Sequence, residues 1–398
     1  MRNSAHLRSS LKGQIQKMAQ AMSEWEAHPR IDAVEQKTIA EHLSPYPHVR
    51  YLEDQIFSGI DGSGDFPMLA YADSFVYLAT AQAVRYQAVG DKLRELGPEP
   101  DLVIHTFWLP EHEKKRVVEL DKAFACLAGG SLEEIIYQSD YRQLKAKYTG
   151  RESTVAAAIA DLIRPHASDS SNLGIQLRSC AELGAARRII AEAEPGEIVL
   201  LDGTLALPFV TRDKLSLFHE HLKRSCCFLA RERGVTVAWI SKSHGLPGIE
   251  LIERIAKDLG HADHWILRLP TLGDKWQLSV LEGRNIPPQG AVSYLWRTHR
   301  GMPVFRVDLD AIWWADQIHD QDTAVTKQRE AALFSKLDFS GHDLRTKAYP
   351  FPLKAAHDRA SLTATERVAL RKQVIEAAVA AGMKPSAFVD PSQLTGHA

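Results

Sequence analysis

The sequence predicts an α/β protein: a mixed sheet flanked by helices, with helical extensions at both ends. Three observations carry this expectation. Between residues 197 and 269 short strands alternate with long helical stretches, which is the signature of β-α-β units. Two strand-like segments near residues 55–78 and an antiparallel pair near 292–307 flank that alternation, so the sheet should be mixed. The segments from about Leu7 to Ala40 and from Thr363 to Ala381 carry helical patterns outside it.

In chain order, the first arm places Leu11, Ile15, Met18 and Met22 at helical spacing. Such a stripe reads equally as a core-facing surface or as a docking arm for a partner. Ser44-Pro45-Tyr46-Pro47 reads as a turn closing the arm. Gln55 to Ile60 reads as a strand, Asp61-Gly62-Ser63-Gly64 as a glycine turn, and Met68 to Leu78 as the returning strand of a hairpin. The stretch 91–170 mixes a strand at Leu102 to Trp108 with helical segments and reads as an insertion in the core. Leu173 to Glu194 is a long helix stopped by Pro195-Gly196. The alternation follows: strand Glu197 to Leu201, helix Arg212 to Arg233, strand Val235 to Ile240, helix Gly248 to Leu259, strand Trp265 to Leu269. Val292 to Trp296 and Pro303 to Val307 form the antiparallel pair. Thr363 and Glu366 make a capping box that opens the last helix. The expected domains are therefore 1–48, a core at 49–362 with its insertion at about 91–170, and a C-terminal helical segment at 363–398.

Hydrophobic residues make up 45% of the 398, enough for a large core. The net charge of −2 carries no bulk basicity, so any nucleic-acid affinity must come from local positive patches. No C-x-x-C spacing exists, and the four cysteines read as reduced thiols of a cytoplasmic protein. The N-terminal segment lacks the apolar stretch of a secretion signal, and no run of about 20 apolar residues reads as a membrane span.

Two Asp-Gly-Ser/Thr units carry the chemistry. Asp61-Gly62-Ser63 alone reads as a hairpin turn, and Asp202-Gly203-Thr204 alone as a helix-capping βα loop. Each directly follows a buried-type strand. An Asp at the C-terminal end of a strand points into the crevice where ligands bind. Two such carboxylates on neighbouring strands can share a divalent cation, and the glycines let a phosphodiester approach the backbone. Glu182 lies in a helix among Cys180, Ala181, Gly184 and Ala185, small neighbours that imply close packing. A carboxylate there calls for a cation or donor. Glu192 and Glu194 suit the polar helix end instead.

The ordered set Asp61-Gly-Ser, Glu182, Leu200-Leu-Asp202-Gly-Thr-Leu205, Ile240-Ser-Lys242-Ser, Pro303-Val-Phe-Arg306-Val and Ala348-Tyr349-Pro-Phe-Pro-Leu-Lys-Ala-Ala-His357 resembles the NurA nuclease domain. The resemblance covers roughly Gln55 to Leu370. It implies an RNase H-like fold and metal-dependent cleavage of DNA, 5′-to-3′ on ends and endonucleolytic on single strands. It also implies a homodimer, a HerA-type hexameric ATPase partner, and a role in end processing, repair or antiviral defence. Asp61, Glu182, Asp202 and His357 become the expected metal ligands. The cation is Mn²⁺, with Mg²⁺ as the other candidate. Lys242 becomes a phosphate contact and Tyr349 a phosphate or base contact. His244, His299 and His342 stay ordinary surface or core residues. The basic residues Arg178, Arg187, Arg188, Arg212, Lys214, Lys223, Arg224, Arg231 and Arg233 divide between solvated helix faces and a DNA groove. No P-loop is present, so ATP-driven motion would belong to a partner. Two other readings stand: a catalytically inactive RNase H-like DNA-binding subunit of an ATPase complex, and another RNase H-like nuclease.

Overall fold

The computed structural model describes residues 4–25, 33–71, 74–97, 103–110, 112–162, 170–205, 214–242, 246, 248–271, 276, 278, 290–342 and 346–390. The first strands are β1 (Leu43–Pro45), β2 (Leu52–Tyr71), β3 (Ser74–Gly90), β4 (Lys92–Glu95) and β5 (Val103–Pro110). The central ones are β6 (Ile198–Asp202), β7 (Thr236–Ser241) and β8 (Trp265–Arg268). The last are β9 (Ala291–Arg297), β10 (Val304–Asp310) and β11 (Phe388–Val389). All join one mixed sheet, whose main path runs β1-β8-β9-β10-β7-β6-β2-β3-β4. β5 pairs with β3, and β11 with β2.

β6 lies between β2 and β7 and is parallel to both. Its residues Ile198, Val199, Leu200 and Leu201 are buried on both faces, as a central parallel strand requires. Val199, Leu201 and Trp239 face one hydrophobic layer, with Ile60 of β2. Ile198, Leu200, Ile240 and Phe57 face the other.

On the first face pack α3 (Glu113–Ala128), α4 (Leu132–Gln138), α6 (Val155–Leu162), α7 (Ser170–Glu192) and α8 (Lys214–Arg233), with α5 (Tyr141–Thr149) against α8. Gly184 of α7 meets α3 so closely that a Cβ would lie 1.9 Å from the Leu127 carbonyl oxygen. The second face holds α11 (Thr323–Ser340) and α12 (Phe351–Ala360), through residues such as Phe334, Leu337 and Leu353. α10 (Ala311–Gln317) packs on that second layer too, α2 (Ala33–His42) and α9 (Ile249–Asp258) share a cluster with β1, β8 and β9, α13 (Ala364–Ala380) packs against β2 and β3, and α1 (Ser4–Trp25) opens the chain. No described helix is long and apolar enough to cross a membrane.

Several expectations change. Ser44 and Pro45 are not a turn but part of β1, which pairs with β8. β1 occupies the sheet edge, where proline costs no ladder hydrogen bond. Asp61-Gly62-Ser63-Gly64 is also not a turn. β2 runs straight through it, pairing Asp61 with Gln82 and Gly62 with Ala81 on β3. The β7-α9-β8 stretch is not a parallel unit, because β9 and β10 lie between β7 and β8 and reverse the direction. The segments outside 49–362 each lend a strand to the sheet, β1 and β11. The stripe of α1 faces solvent: Leu11, Ile15, Met18 and Met22 are all about half exposed.

The 91–170 segment is bound to the core by buried charge. Arg224 of α8 is fully buried, donating to Asp140 at 2.6 and 2.8 Å and to Asp310 at 2.7 Å. Arg231 bridges the same two carboxylates. Arg187 donates to the Ala128 carbonyl and to Gln138. These three arginines are therefore neither a solvated face nor a free DNA-binding row. Cys180, Cys226 and Cys227 are buried free thiols, while Cys126 is exposed.

Candidate metal and phosphodiester site

The register of β2 against β6 brings the two Asp-Gly units together. Ile60 stands opposite Leu201, so Asp61 and Asp202 follow one position further along on neighbouring parallel strands. Strand alternation puts Asp61 on the face of Phe57, and Asp202 on the face of Leu200. Both carboxylates therefore lie on the α12 side of the sheet. β6 ends at Asp202 while β2 continues, which leaves a notch beside Asp61. Asp61 is buried, and Asp202 is open to solvent at 39% exposure.

Glu182 arrives from the opposite face. Gly62 points to the α7 side, and a Cβ there would sit 2.6 Å from Glu182 Cγ and 2.9 Å from the Thr80 carbonyl oxygen. The glycine is required by that approach, not by a turn. Burial pushes the Glu182 carboxyl up to about 8; Arg178 opposes the rise, and the charges of Asp61 and Asp202 add to it. Arg178 Nε lies 3.2 Å from Glu182 Oε1, one helical turn earlier. Asp61 is also raised, first by burial and then by Asp202, against hydrogen bonds from Gly62 N–H at 2.8 Å and His357 Nδ1 at 2.7 Å. The charge of Asp202 thus adds to the proton affinity of both Asp61 and Glu182, as a neighbouring like charge does.

The remaining residues surround the notch. α12 starts after Pro350, with Pro352 in its first turn, and packs on β2 at Gly59, where a Cβ would lie 2.3 Å from the Pro352 carbonyl carbon. That packing places His357, two turns on, against Asp61. Lys242, just beyond β7, holds its Nζ 3.8 Å from Asp202 Oδ2 and 3.7 Å above the centre of the Tyr349 ring. Tyr349 is buried. Its hydroxyl has no geometrically complete hydrogen bond, and burial followed by the charge of Asp202 keeps it firmly protonated.

All six expected residues, Asp61, Glu182, Asp202, Lys242, Tyr349 and His357, are thus connected around one strand end. The acidic set is wider than a single-ion cage. Among the described residues, the one group of His, Cys, Asp or Glu whose ligand atoms all lie within 4.8 Å is elsewhere, at His48, His264 and Asp338. Glu192 and Glu194 lie ten and twelve residues beyond Glu182, about 15 Å or more along the helix direction. His299 and His342 turn to backbone carbonyls, at Arg300 and Phe339. His244 and Arg212 lie outside the described residues, as does the side chain of Lys214.

Sequence reasoning missed Asp308. Its carboxylate accepts from Leu205 N–H at 2.9 Å and from Arg306 Nε at 2.8 Å, fixing the chain just after Asp202. The signal was present in Val304-Phe-Arg-Val-Asp-Leu-Asp310, where three charged residues alternate inside a buried strand.

No family model matches the chain, and no curated protein matches it. Solved structures of NurA nucleases align over nearly the whole chain at low identity. The NurA nuclease from Sulfolobus solfataricus is 15% identical with a TM-score of 0.43, covering 96% of this chain and 99% of that one. A NurA structure with manganese is 12% identical, with a TM-score of 0.40 over 94% and 99% of the two chains. A third, bound to dAMP and manganese, is 10% identical, with a TM-score of 0.33 over 91% and 94%. The chemistry of the notch has to stand on its own geometry.

Proposed function

We propose that the chain is a divalent-metal-dependent deoxyribonuclease of the NurA kind. One observation carries this reading: Asp61 and Asp202 from adjacent parallel strands, and Glu182 from the opposite face, converge on one notch. Arg178 and Lys242 are each paired to a carboxylate of the set, at 3.2 and 3.8 Å. The donor set is hard oxygen plus one imidazole, which suits Mg²⁺ or Mn²⁺ and favours the softer Mn²⁺.

A divalent ion or pair, if bound there, would supply an activated water and charge neutralisation for the phosphate and leaving oxygen. The protein's part is specific. Asp61, Asp202 and Glu182 would hold the cation, and Glu182 would give up its proton on binding it. Lys242 would present a point charge to the scissile phosphate, its ammonium seated over the Tyr349 ring. His357 donates to Asp61 through Nδ1, which would leave Nε2 as the atom to hold the cation. DNA as the substrate, on single strands and duplex ends, follows the sequence resemblance. So do 5′-to-3′ polarity, the homodimer and the HerA-type hexameric ATPase. The exposed stripe of α1 is where we place the ATPase contact.

The test is direct. The purified full chain with Mn²⁺ should degrade end-labelled linear DNA, and a chelator should stop it. Asp202→Asn should lower the rate by about 100-fold or more, the scale of losing one electrostatic group at a reacting centre. DNA binding without cleavage in either Mn²⁺ or Mg²⁺ would reject the reading in favour of an inactive DNA-binding subunit.

A further inference from the structure

The edge of the sheet far from the notch holds a second constellation. Asp338, in the last turn of α11, has a side chain only 2% exposed. A buried carboxylate needs a charged or coordinating partner. Among the described residues its salt-bridge partners are two imidazoles: His48 Nδ1 lies 2.6 Å from Oδ2, and His264 Nδ1 lies 3.7 Å from Oδ1. No lysine or arginine pairs with it among the described residues. The ligand atoms of His48, His264 and Asp338 all lie within 4.8 Å of one another.

Three further features make this more than a chance cluster. His264 Nδ1 is buried without a hydrogen-bond partner among the described residues, although it points towards the carboxylate. His264 is held in the left-handed region at φ 52°, a conformation a non-glycine residue adopts at a cost. Its carbonyl accepts from Tyr46 N–H at 2.9 Å, which locks that backbone in place. The two imidazoles stack at 4.9 Å with 23° between their planes. Around them runs a supporting shell: Tyr46 Oη donates to the Arg297 carbonyl at 2.8 Å, lies 3.4 Å from Asp338 Oδ1, and accepts from Trp296 Nε1 at 2.8 Å. Ligating carboxylates in metal sites are commonly hydrogen-bonded in this way.

We propose that His48, His264 and Asp338 form a second metal site, a His₂Asp clip for Zn²⁺ that fastens the β1 end and the start of β8 to α11. Two imidazoles and a carboxylate are a zinc-type donor set, at about 2.0–2.2 Å from the ion. That ligand distance puts donors about 3.3 Å apart around a tetrahedral ion. The three ligand atoms, all within 4.8 Å of one another, surround a space of that order. The exposed side of His48 leaves a fourth position for water. The site is independent of the carboxylate notch. β8 lies four strand spacings from β6, on the order of 20 Å, so the two sites do not share ligands.

The experiment uses the full chain with Asp61→Asn and Asp202→Asn together, stripped by chelator, then titrated with ZnCl₂ alone. Calorimetry should find one ion per chain, and zinc should raise Tm by a few degrees. Co²⁺ in place of zinc should give visible d–d absorption. His48→Gln and His264→Asn should each weaken zinc binding by at least about 10-fold, the scale of losing support at a metal site. Asparagine is chosen at 264 because it tolerates positive φ. No zinc uptake by the Asp61/Asp202 double variant would overturn the proposal. So would unchanged affinity in both histidine variants.

Discussion

Glu182 is pressed against Gly62 so closely that the glycine hydrogen occupies the only space a side chain would need, with Glu182 Cγ 2.6 Å and the Thr80 carbonyl oxygen 2.9 Å from an ideal Cβ. The contact joins the two faces of the sheet at the notch. It makes Gly62 a positioning residue for the carboxylate.

Gly62→Ala should therefore displace Glu182 and lower cleavage by about 10- to 100-fold, the range for losing support of a metal ligand. The Thr80 backbone cannot swing aside, so stability should also fall, by about 1–3 kcal/mol as for other overpacked sites. Glu182→Ala in the same chain should recover part of that stability and none of the activity. Normal cleavage by Gly62→Ala would show that Glu182 is not held where it is assigned.

The proton on Glu182 gives a second test. Its pKa of about 8 lies above the usual carboxylate value of about 4.3. Between those values the metal-free folded protein keeps a proton that the unfolded chain has lost. This contribution to stability is full below about pH 4.3 and disappears as pH rises through 8. The metal-free Tm should fall from pH 5 to 8, and Glu182→Gln should flatten that slope. Cation uptake at pH 7 should release close to one proton from Glu182, read by calorimetry in buffers of different ionisation enthalpy. Proton release unchanged in Glu182→Gln would assign the proton elsewhere.

His357 separates ligation from proton transfer. Its Nδ1 is 2.7 Å from Asp61 Oδ2, and its side chain is 53% exposed. With Nδ1 engaged, Nε2 is the atom available for the cation. His357→Ala should weaken Mn²⁺ binding by about 10-fold or more. Slower turnover at unchanged Mn²⁺ affinity would make His357 a proton donor to the leaving oxygen instead.

Lys242 and Tyr349 act as a pair. A cation 3.7 Å above an aromatic ring is held by about 0.5–2 kcal/mol. Tyr349→Phe keeps the ring and should cost less than about 10-fold in cleavage. Tyr349→Leu removes it and should approach the loss in Lys242→Met. Equal defects in the Phe and Leu variants would move the role from the ring to the hydroxyl.

The arm offers a partner test. α2 buries Ile39 against the core, whereas the stripe of α1 is exposed. Removing residues 1–25 should leave cleavage and Tm unchanged and weaken capture of a HerA-type ATPase. Undiminished capture would leave α1 without that function.

Local signals in the sequence were clear wherever they agreed with the tertiary structure. β6, α8 and β7 follow from alternation of buried runs with a long amphipathic stretch, and the capping box of Thr363 and Glu366 forms as written. The errors came where long-range pairing overrode a local preference. Asp-Gly prefers a hairpin turn, yet fifteen pairings between β2 and β3 carry the strand through Asp61. The glycine serves Glu182, 120 residues away, and no local pattern records that. Pro45 reads as a breaker until β1 is seen to be an edge. The two aspartates could be picked out because each comes directly after a run of buried-type residues, Gln55 to Ile60 and Ile198 to Leu201. His48 and Asp338, 290 residues apart, meet only through the packing of α11 beneath the sheet edge.

The central claim is that carboxylates from both faces of the sheet share a divalent cation at the β2–β6 notch. Anomalous diffraction from a crystal soaked in Mn²⁺ tests it most directly. A manganese peak is expected between Asp61, Asp202 and Glu182, about 2.0–2.3 Å from their oxygens, and no peak there in Asp61→Asn. A peak confined to the His48–His264–Asp338 edge, with the notch empty at saturating Mn²⁺, would contradict it.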